Sequence, residues 1–262
     1  KAASCFLVEA GLFIVRFMGE DWNGEQRSHL IFPTTRPSDN LGSASVLDKP
    51  VIRKDEDGHS GNANGLHLNL WQDFDGAADG GSLYEGGLTL AALLAVGSSI
   101  MAASDDAEDL CPAALCRGCN CVELGAGTGV AGFVASRIGA RQVLLTDGVT
   151  SVVELLRRNV DNAPTCDVAR WCWEDTHEPV GTFEVVLAAD VLFYRSSWSY
   201  LLAVLQSLCT RTQGHTDVLL AHYPRDPAES NFFELAREHF RVAEFLAPSL
   251  CYWLDGIRCQ TS

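Results

Sequence analysis

The chain has 262 residues, 34 of them acidic and 19 basic, giving a net charge of −15. With 47% hydrophobic residues and a mean hydropathy of +0.05 it can bury one sizeable α/β core plus an extension. An acidic surface repels nucleic acid, so no nucleic-acid partner is expected, whereas a basic protein segment would be steered towards it.

Ten cysteines are many for this length. A chain this long and apolar needs no disulfide framework, so reduced thiols and a cytoplasmic (or also nuclear) location are expected. Cys111, Cys116, Cys119 and Cys121 cluster, but without a second Cys-x-x-Cys pair or histidines at ligand spacing; no metal is expected. His67, His177, His215, His222 and His239 are scattered, and His222 with Tyr223 is a weak substrate-side candidate. The apolar run from Cys5 to Met18 contains Glu9 and Arg16 and is too short to span a bilayer; it also lacks the basic start and cleavage site of a secretory signal. The chain is read as a monomer with no membrane partner.

In chain order, residues 5–17 read as one or two strands, and 33–65, rich in Pro, Ser, Asp, Asn and Gly, as a flexible loop. Leu66 to Trp71 alternates as a strand does, 73–82 is an acidic loop, and Tyr84 to Met101 carries helical periodicity. Residues 103–117 form a connector. A repeating unit follows: strand 119–124, helix 128–138, strand Val143 to Thr146, helix 150–160, strand 167–173, strand Phe183 to Ala189, helix 196–209, strand 217–222 and helix 227–239. Val242 to Phe245 and Leu250 to Ile257 read as a closing pair. Strands alternating with helices give a doubly wound, mainly parallel sheet whose ligand crevice lies at the strands' carboxyl ends.

The stretch CVELGAGTGVAG, Cys121 to Gly132, organises the rest. A buried strand runs into alternating Gly125, Gly127 and Gly129 and then a helix, so backbone N–H groups and the helix dipole face an approaching ligand. Asp147, at the tip of the next strand, can accept both hydroxyls of a ribose; it can equally cap the helix that follows. No Gly-Lys-Ser/Thr is present, which argues against a triphosphate. Glu123, just before the first glycine, is unfavourable beside a pyrophosphate and favourable beside a cation. This points to S-adenosylmethionine, with its sulfonium and ammonium, ahead of a dinucleotide.

VELGAGTG at Val122 to Gly129 resembles motif I of the class I, seven-strand methyltransferases. GGSLYEGGLTLAALL at Gly80 to Leu94, preceded by Gln72, resembles the leading helix of the methyltransferase family 16 protein lysine methyltransferases, and AADVLFY at Ala188 to Tyr194 resembles that group's Asp-x-x-Tyr signature. The resemblance covers about residues 66–258. It implies a Rossmann-like α/β fold with a seven-strand, mainly parallel sheet, an antiparallel closing strand and helices on both faces. Residues 66–262 would be the cofactor-binding domain and 1–65 an N-terminal β extension.

The resemblance also implies the reaction and its residues. S-adenosylmethionine would donate a methyl to a lysine amine of a protein, leaving S-adenosylhomocysteine. A small-molecule amine, a protein arginine, or a non-catalytic binding role are the alternatives. Gly125, Gly127 and Gly129 would line the cofactor with Glu123 near its polar end, and Asp147 would hold the ribose. Trp173, or else Trp171 two residues earlier, would pack on adenine. Tyr84 stands at the group's Trp position, and Ala189 and Asp190 would lie where donor meets acceptor. Two departures stand out: Phe193 replaces the signature Tyr, with Tyr194 one place later, and Gly86 and Gly87 replace alanines, loosening the helix by up to about 1 kcal/mol each.

Overall fold

The computed structural model describes residues 25–32, 66–97, 111–160, 163, 165–175, 179, 181–212, 216–222 and 226–242. Two sheets are present among them. β1 (Glu25–Phe32) and β2 (Leu66–Asp73) form an antiparallel pair, Glu25 opposite Asp73 and Phe32 opposite Leu66. β1 was not anticipated; it lies between the two N-terminal segments to which structure was assigned, and the pair joins chain on either side of residue 65. The strands expected over 5–17, the loop over 33–65 and the second closing strand lie outside the described residues.

The main sheet has five strands: β3 (Asn120–Leu124), β4 (Gln142–Asp147), β5 (Cys166–Arg170), β6 (Val185–Ala189) and β7 (Asp217–Ala221), in the order β5-β4-β3-β6-β7. Every pairing is parallel, as right-handed β-α-β crossovers demand. Strand order reverses at β3, so the crevice expected of such sheets opens where β3 and β6 diverge at their carboxyl ends. The described sheet is therefore five-stranded and wholly parallel; the expected count of seven strands and the antiparallel closing strand are not met among the described residues.

Helices cover both faces. Cys121, Val143, Leu145, Val185 and Leu187 pack on one side with α1 (Glu85–Val96) and α3 (Val130–Arg137). Val122, Leu124, Val186 and Ala188 pack on the other with α5 (Trp198–Arg211) and α6 (Ser230–Arg237). Between them in sequence lie the short α2 (Pro112–Cys116) in the connector and α4 (Thr150–Asn159) after β4. Burial on both faces explains the near-continuous apolar run of β6.

Several boundaries differ from the sequence reading for local reasons. α1 stops at Val96 because Gly97 takes a left-handed conformation (φ 63°) and ends the helix. β5 ends at Arg170 rather than 173, so Trp171 and Trp173 belong to the loop beyond it, and the Trp171 N–H donates to the Asp147 carbonyl at 2.9 Å. Asn159, wholly buried, accepts from the Trp71 N–H (2.7 Å) and donates to the carbonyls of Trp71 (3.0 Å) and Thr128 (3.1 Å). One side chain thus clamps β2, α4 and the glycine turn together.

Candidate active site

The glycine turn after β3 is held in place by its neighbours. The Ala126 N–H donates to the Thr146 carbonyl at the end of β4 (2.9 Å), and the Thr146 hydroxyl donates to the Glu123 carbonyl (2.7 Å). Gly125 (φ 61°) and Gly127 (φ 54°) are left-handed, a conformation that side chains resist. Both face a cleft of about 590 Å³ at the carboxyl ends of the strands. Gly129 (φ 83°) does not. A Cβ there would come within 2.6 Å of the Phe133 ring and 2.8 Å of Leu156, so it is a packing glycine between α3 and α4. Its neighbours Thr128 and Val130 do line the cleft.

The cleft brings together Tyr84, Glu123, Gly125, Gly127, Asp147, Trp173 and its alternative Trp171, Ala189, Asp190, Phe193 and Tyr194. Among the described residues its walls include five acidic side chains, Asp79, Glu123, Asp147, Glu174 and Asp190, and no Lys, Arg or His. Such a cleft repels phosphates and attracts cations.

Glu123 lies on the α1/α3 face of β3, and its Oε2 accepts the Gly132 N–H at 2.8 Å, satisfying an otherwise unpaired donor in the first turn of α3. Burial raises its carboxyl pKa to about 8; the Gly132 bond opposes the shift and the Asp147 charge reinforces it. Near neutral pH it is therefore mainly protonated. A cation beside it would favour its anionic form.

Asp147 accepts the Gly127 N–H at 3.3 Å and the Val149 N–H at 3.0 Å. Desolvation raises its pKa, against the pull of the N–H groups of Val149, Gly127 and Gly148. It both supports the start of α4 and borders the cleft, so the two sequence readings coexist. Of the tryptophans, Trp171 is 1% exposed and belongs to the core, while Trp173 is half-buried, with its ring 3.6 Å from where a Gly125 Cβ would stand.

Asp190 ends β6 with φ 54°, the one non-glycine residue with positive φ among those described. Its Oδ2 accepts the Gly86 N–H, in the first turn of α1, at 2.7 Å. That bond satisfies an N–H at the start of α1. Gly86 is therefore no mere loosening of that helix, because a Cβ would lie 2.6 Å from the Asp190 Cγ. The left-handed turn at Asp190 also breaks strand alternation, so exposed Phe193 and Tyr194 both reach the cleft, with ring centroids 4.2 Å apart.

Gln72, noted only as preceding the leading helix, is buried and accepts the Leu83 N–H at 2.9 Å, anchoring the 73–82 loop. His222 is not on the cleft wall; its Nε2 pairs with Glu229 at 3.0 Å in a buried contact. The sequence reading assigned no role to Asp79, Ser82, Cys172, Val191 and Tyr200, which also line the walls; Ser82 and Val191 fall within the motifs noted above, whereas Asp79, Cys172 and Tyr200 carry no motif.

The parallel α/β sheet thus carries a glycine turn, a tip carboxylate and an acidic cleft at its switch point. Residues 62–239 match the family described as lysine methyltransferase, more than half of the chain, and the chain belongs to that family. It is 35% identical over 136 residues to the Mus musculus protein N-lysine methyltransferase METTL21A, covering 49% of this chain and 60% of that one. Against the Xenopus tropicalis protein of the same name, identity is 33% over 129 residues, 47% and 58% of the two chains. With the Mus musculus EEF1A lysine methyltransferase 3 it shares 35% over 133 residues, 48% and 55%. The chain thus spans about 60% or less of the length of these curated relatives.

Proposed function

We propose that this chain transfers a methyl group from S-adenosylmethionine to the side-chain amine of a lysine in a protein, releasing S-adenosylhomocysteine. The observation that carries the reading is the cleft: a left-handed glycine turn beside five acidic side chains and no basic one. Two cations, the cofactor and the acceptor ammonium, match that lining, and a dinucleotide does not. The names of the relatives support the protein-lysine acceptor.

The residues fit S-adenosylmethionine. Gly125 and Gly127 leave main chain open to close approach, and a Gly125 Cβ would fill the space beside Trp173. In this reading Gly125 and Gly127 border the cofactor, Asp147 takes the ribose hydroxyls with the lone pairs that its two backbone bonds leave, and Trp173 packs on adenine. When bound, S-adenosylmethionine supplies a methyl activated by its sulfonium. Glu123 gives up its proton as positive charge settles beside it. Ala189 and Asp190 border the acceptor, and Phe193, Tyr194 and Tyr84 wall it with aromatic faces that suit an ammonium. Asp190, fixed by Gly86, positions the 190–194 turn; its remaining acceptor capacity and neighbouring water can take the proton the amine must lose before in-line attack.

The acceptor is read as a basic protein segment, and the enzyme as a cytoplasmic (or also nuclear) monomer with no nucleic-acid or membrane partner. The seven cysteines described, all free thiols, support a reducing compartment. No helix among the described residues is long and apolar enough to cross a membrane.

Isothermal titration with S-adenosylmethionine and S-adenosylhomocysteine tests the cofactor. Both should bind one to one, and absence of binding refutes the reading. Label transfer to extract proteins should vanish when their lysines are blocked beforehand; label that survives blocking points to another acceptor.

A further inference from the structure

The cleft holds a carboxylate, Asp79, to which the proposed reaction has assigned no role. The Tyr194 hydroxyl donates to Asp79 Oδ2 at 2.6 Å, joining residues 115 positions apart. Asp79 belongs to a short 3-10 turn, Ala78–Gly80, between β2 and α1. That turn lies against the glycine turn, since a Cβ on Gly127 would be 3.1 Å from the Gly80 carbonyl oxygen. Tyr194 lies four residues after Asp190, on the opposite wall. The bond therefore bridges the cofactor side and the acceptor side of the mouth, and both residues are exposed there.

We propose that Asp79, held in place by the Tyr194 hydroxyl, recognises the acceptor's ammonium as it enters the cleft. The inference rests on the reading of the cleft as a lysine methyltransferase site.

Donors and acceptors decide what such a mouth can take. The Tyr194 proton is committed to Asp79, so the phenol oxygen offers only lone pairs. The carboxylate keeps acceptor positions on both oxygens. Around them stand the rings of Tyr84, Phe193 and Tyr194, whose faces attract cations. The pair thus presents acceptors and aromatic faces, without a donor of its own to spare. An ammonium with three N–H donors satisfies all of these groups, while a carboxylate or phosphate satisfies none.

Among the described residues Asp79 has no basic partner, and Arg195, next to Tyr194, is turned onto the Trp198 ring at 5.4 Å. Asp190 is poorly placed for the same task at the mouth, because it is 7% exposed and bonded to Gly86. The pair also accounts for the departure at Phe193. The hydroxyl absent there is supplied by Tyr194, and the two ring centroids lie 4.2 Å apart with their planes tilted by 45°. The alternative is a latch that only ties two loops together; an exposed Tyr–Asp bond contributes little stability, so the two roles separate in kinetics.

The test uses the whole chain, labelled S-adenosylmethionine and a soluble protein extract as the acceptor probe, with rate followed against extract concentration. Asp79→Asn should raise the half-saturating concentration about fivefold or more, with the loss falling there rather than on the maximal rate. Tyr194→Phe should raise it less, and Asp79→Glu should recover part of the loss. Half-saturation should climb with ionic strength for the unaltered chain and climb less for Asp79→Asn. Binding of S-adenosylhomocysteine should stay within about twofold in all three variants, which separates recognition from misfolding. If Asp79→Asn leaves half-saturation in place, or lowers only the maximal rate, the proposal is overturned while the lysine methyltransferase reading stands. If the unaltered chain labels no lysine at all, that reading falls and the proposal falls with it.

Discussion

The Asp190 carboxylate occupies the space that a side chain at residue 86 would need: its Oδ2 lies 2.7 Å from the Gly86 nitrogen, and a Cβ there would meet its Cγ at 2.6 Å. The turn that presents the acceptor wall and the helix that presents Tyr84 are thereby locked to one another. Gly86→Ala should cost about 1–3 kcal/mol in chemical denaturation and lower methyl transfer, because either Asp190 moves or its bond breaks. Gly87→Ala is the control. Its Cβ would meet only the Val130 Cγ1, at 3.2 Å, and its helix-propensity gain of about 1 kcal/mol offsets that crowding. Equal losses in the two variants would contradict the assignment.

Glu123 makes stability depend on pH. Its folded pKa, about 8, lies above the ordinary 4.5, so its contribution is fully present below pH 4.5 and is lost as pH rises through about 8. Glu123→Gln keeps an acceptor for the Gly132 N–H and removes the proton. Denaturation midpoints followed from pH 5 to about 8.5 should fall more steeply for the unaltered chain than for Glu123→Gln. A cationic ligand should also drive this proton off, so titrations near neutral pH in buffers of different ionisation enthalpy should show proton release in the unaltered chain and less in the variant.

The two tryptophans should separate cleanly. Trp171→Ala empties a core site that is 1% exposed and should destabilise by about 3–5 kcal/mol. Trp173→Ala should leave most of the stability and weaken S-adenosylhomocysteine binding by about tenfold, as loss of a stacking surface does. The reverse pattern would exchange their roles.

Asp147→Asn keeps an acceptor for one of the N–H groups of Gly127 and Val149 but loses the charge. Cofactor affinity should drop about 10- to 100-fold by titration calorimetry, with a small change in melting temperature. An unchanged affinity would leave Asp147 as a support for α4 alone.

What the sequence made legible follows from where periodicity and motifs reside. β3, β4, β6 and β7 are short apolar runs, β3 and β6 buried along nearly their whole length, and their order follows from strand–helix alternation. The glycine turn and Asp147 were readable because only certain residue types fit those backbone positions. β1, with its mixed composition EQRSHLIF, was not readable, since its pairing with β2 is a tertiary contact across an intervening segment. Gly129 looked like its two neighbours, and only the position of Phe133 separates a packing glycine from a ligand-facing one. Likewise, the left-handed Asp190 that brings Phe193 and Tyr194 to one wall cannot be read from alternation, which assumes that the strand continues. Asp79 carries no motif; it became visible only through its contact with Tyr194.

The most direct measurement is amino-acid analysis of extract proteins after incubation with the chain and methyl-labelled S-adenosylmethionine. The account predicts label in N-methylated lysine, dependent on the chain and reduced by Asp147→Asn. Label confined to methylarginine or small molecules, or no label despite cofactor binding, would contradict it.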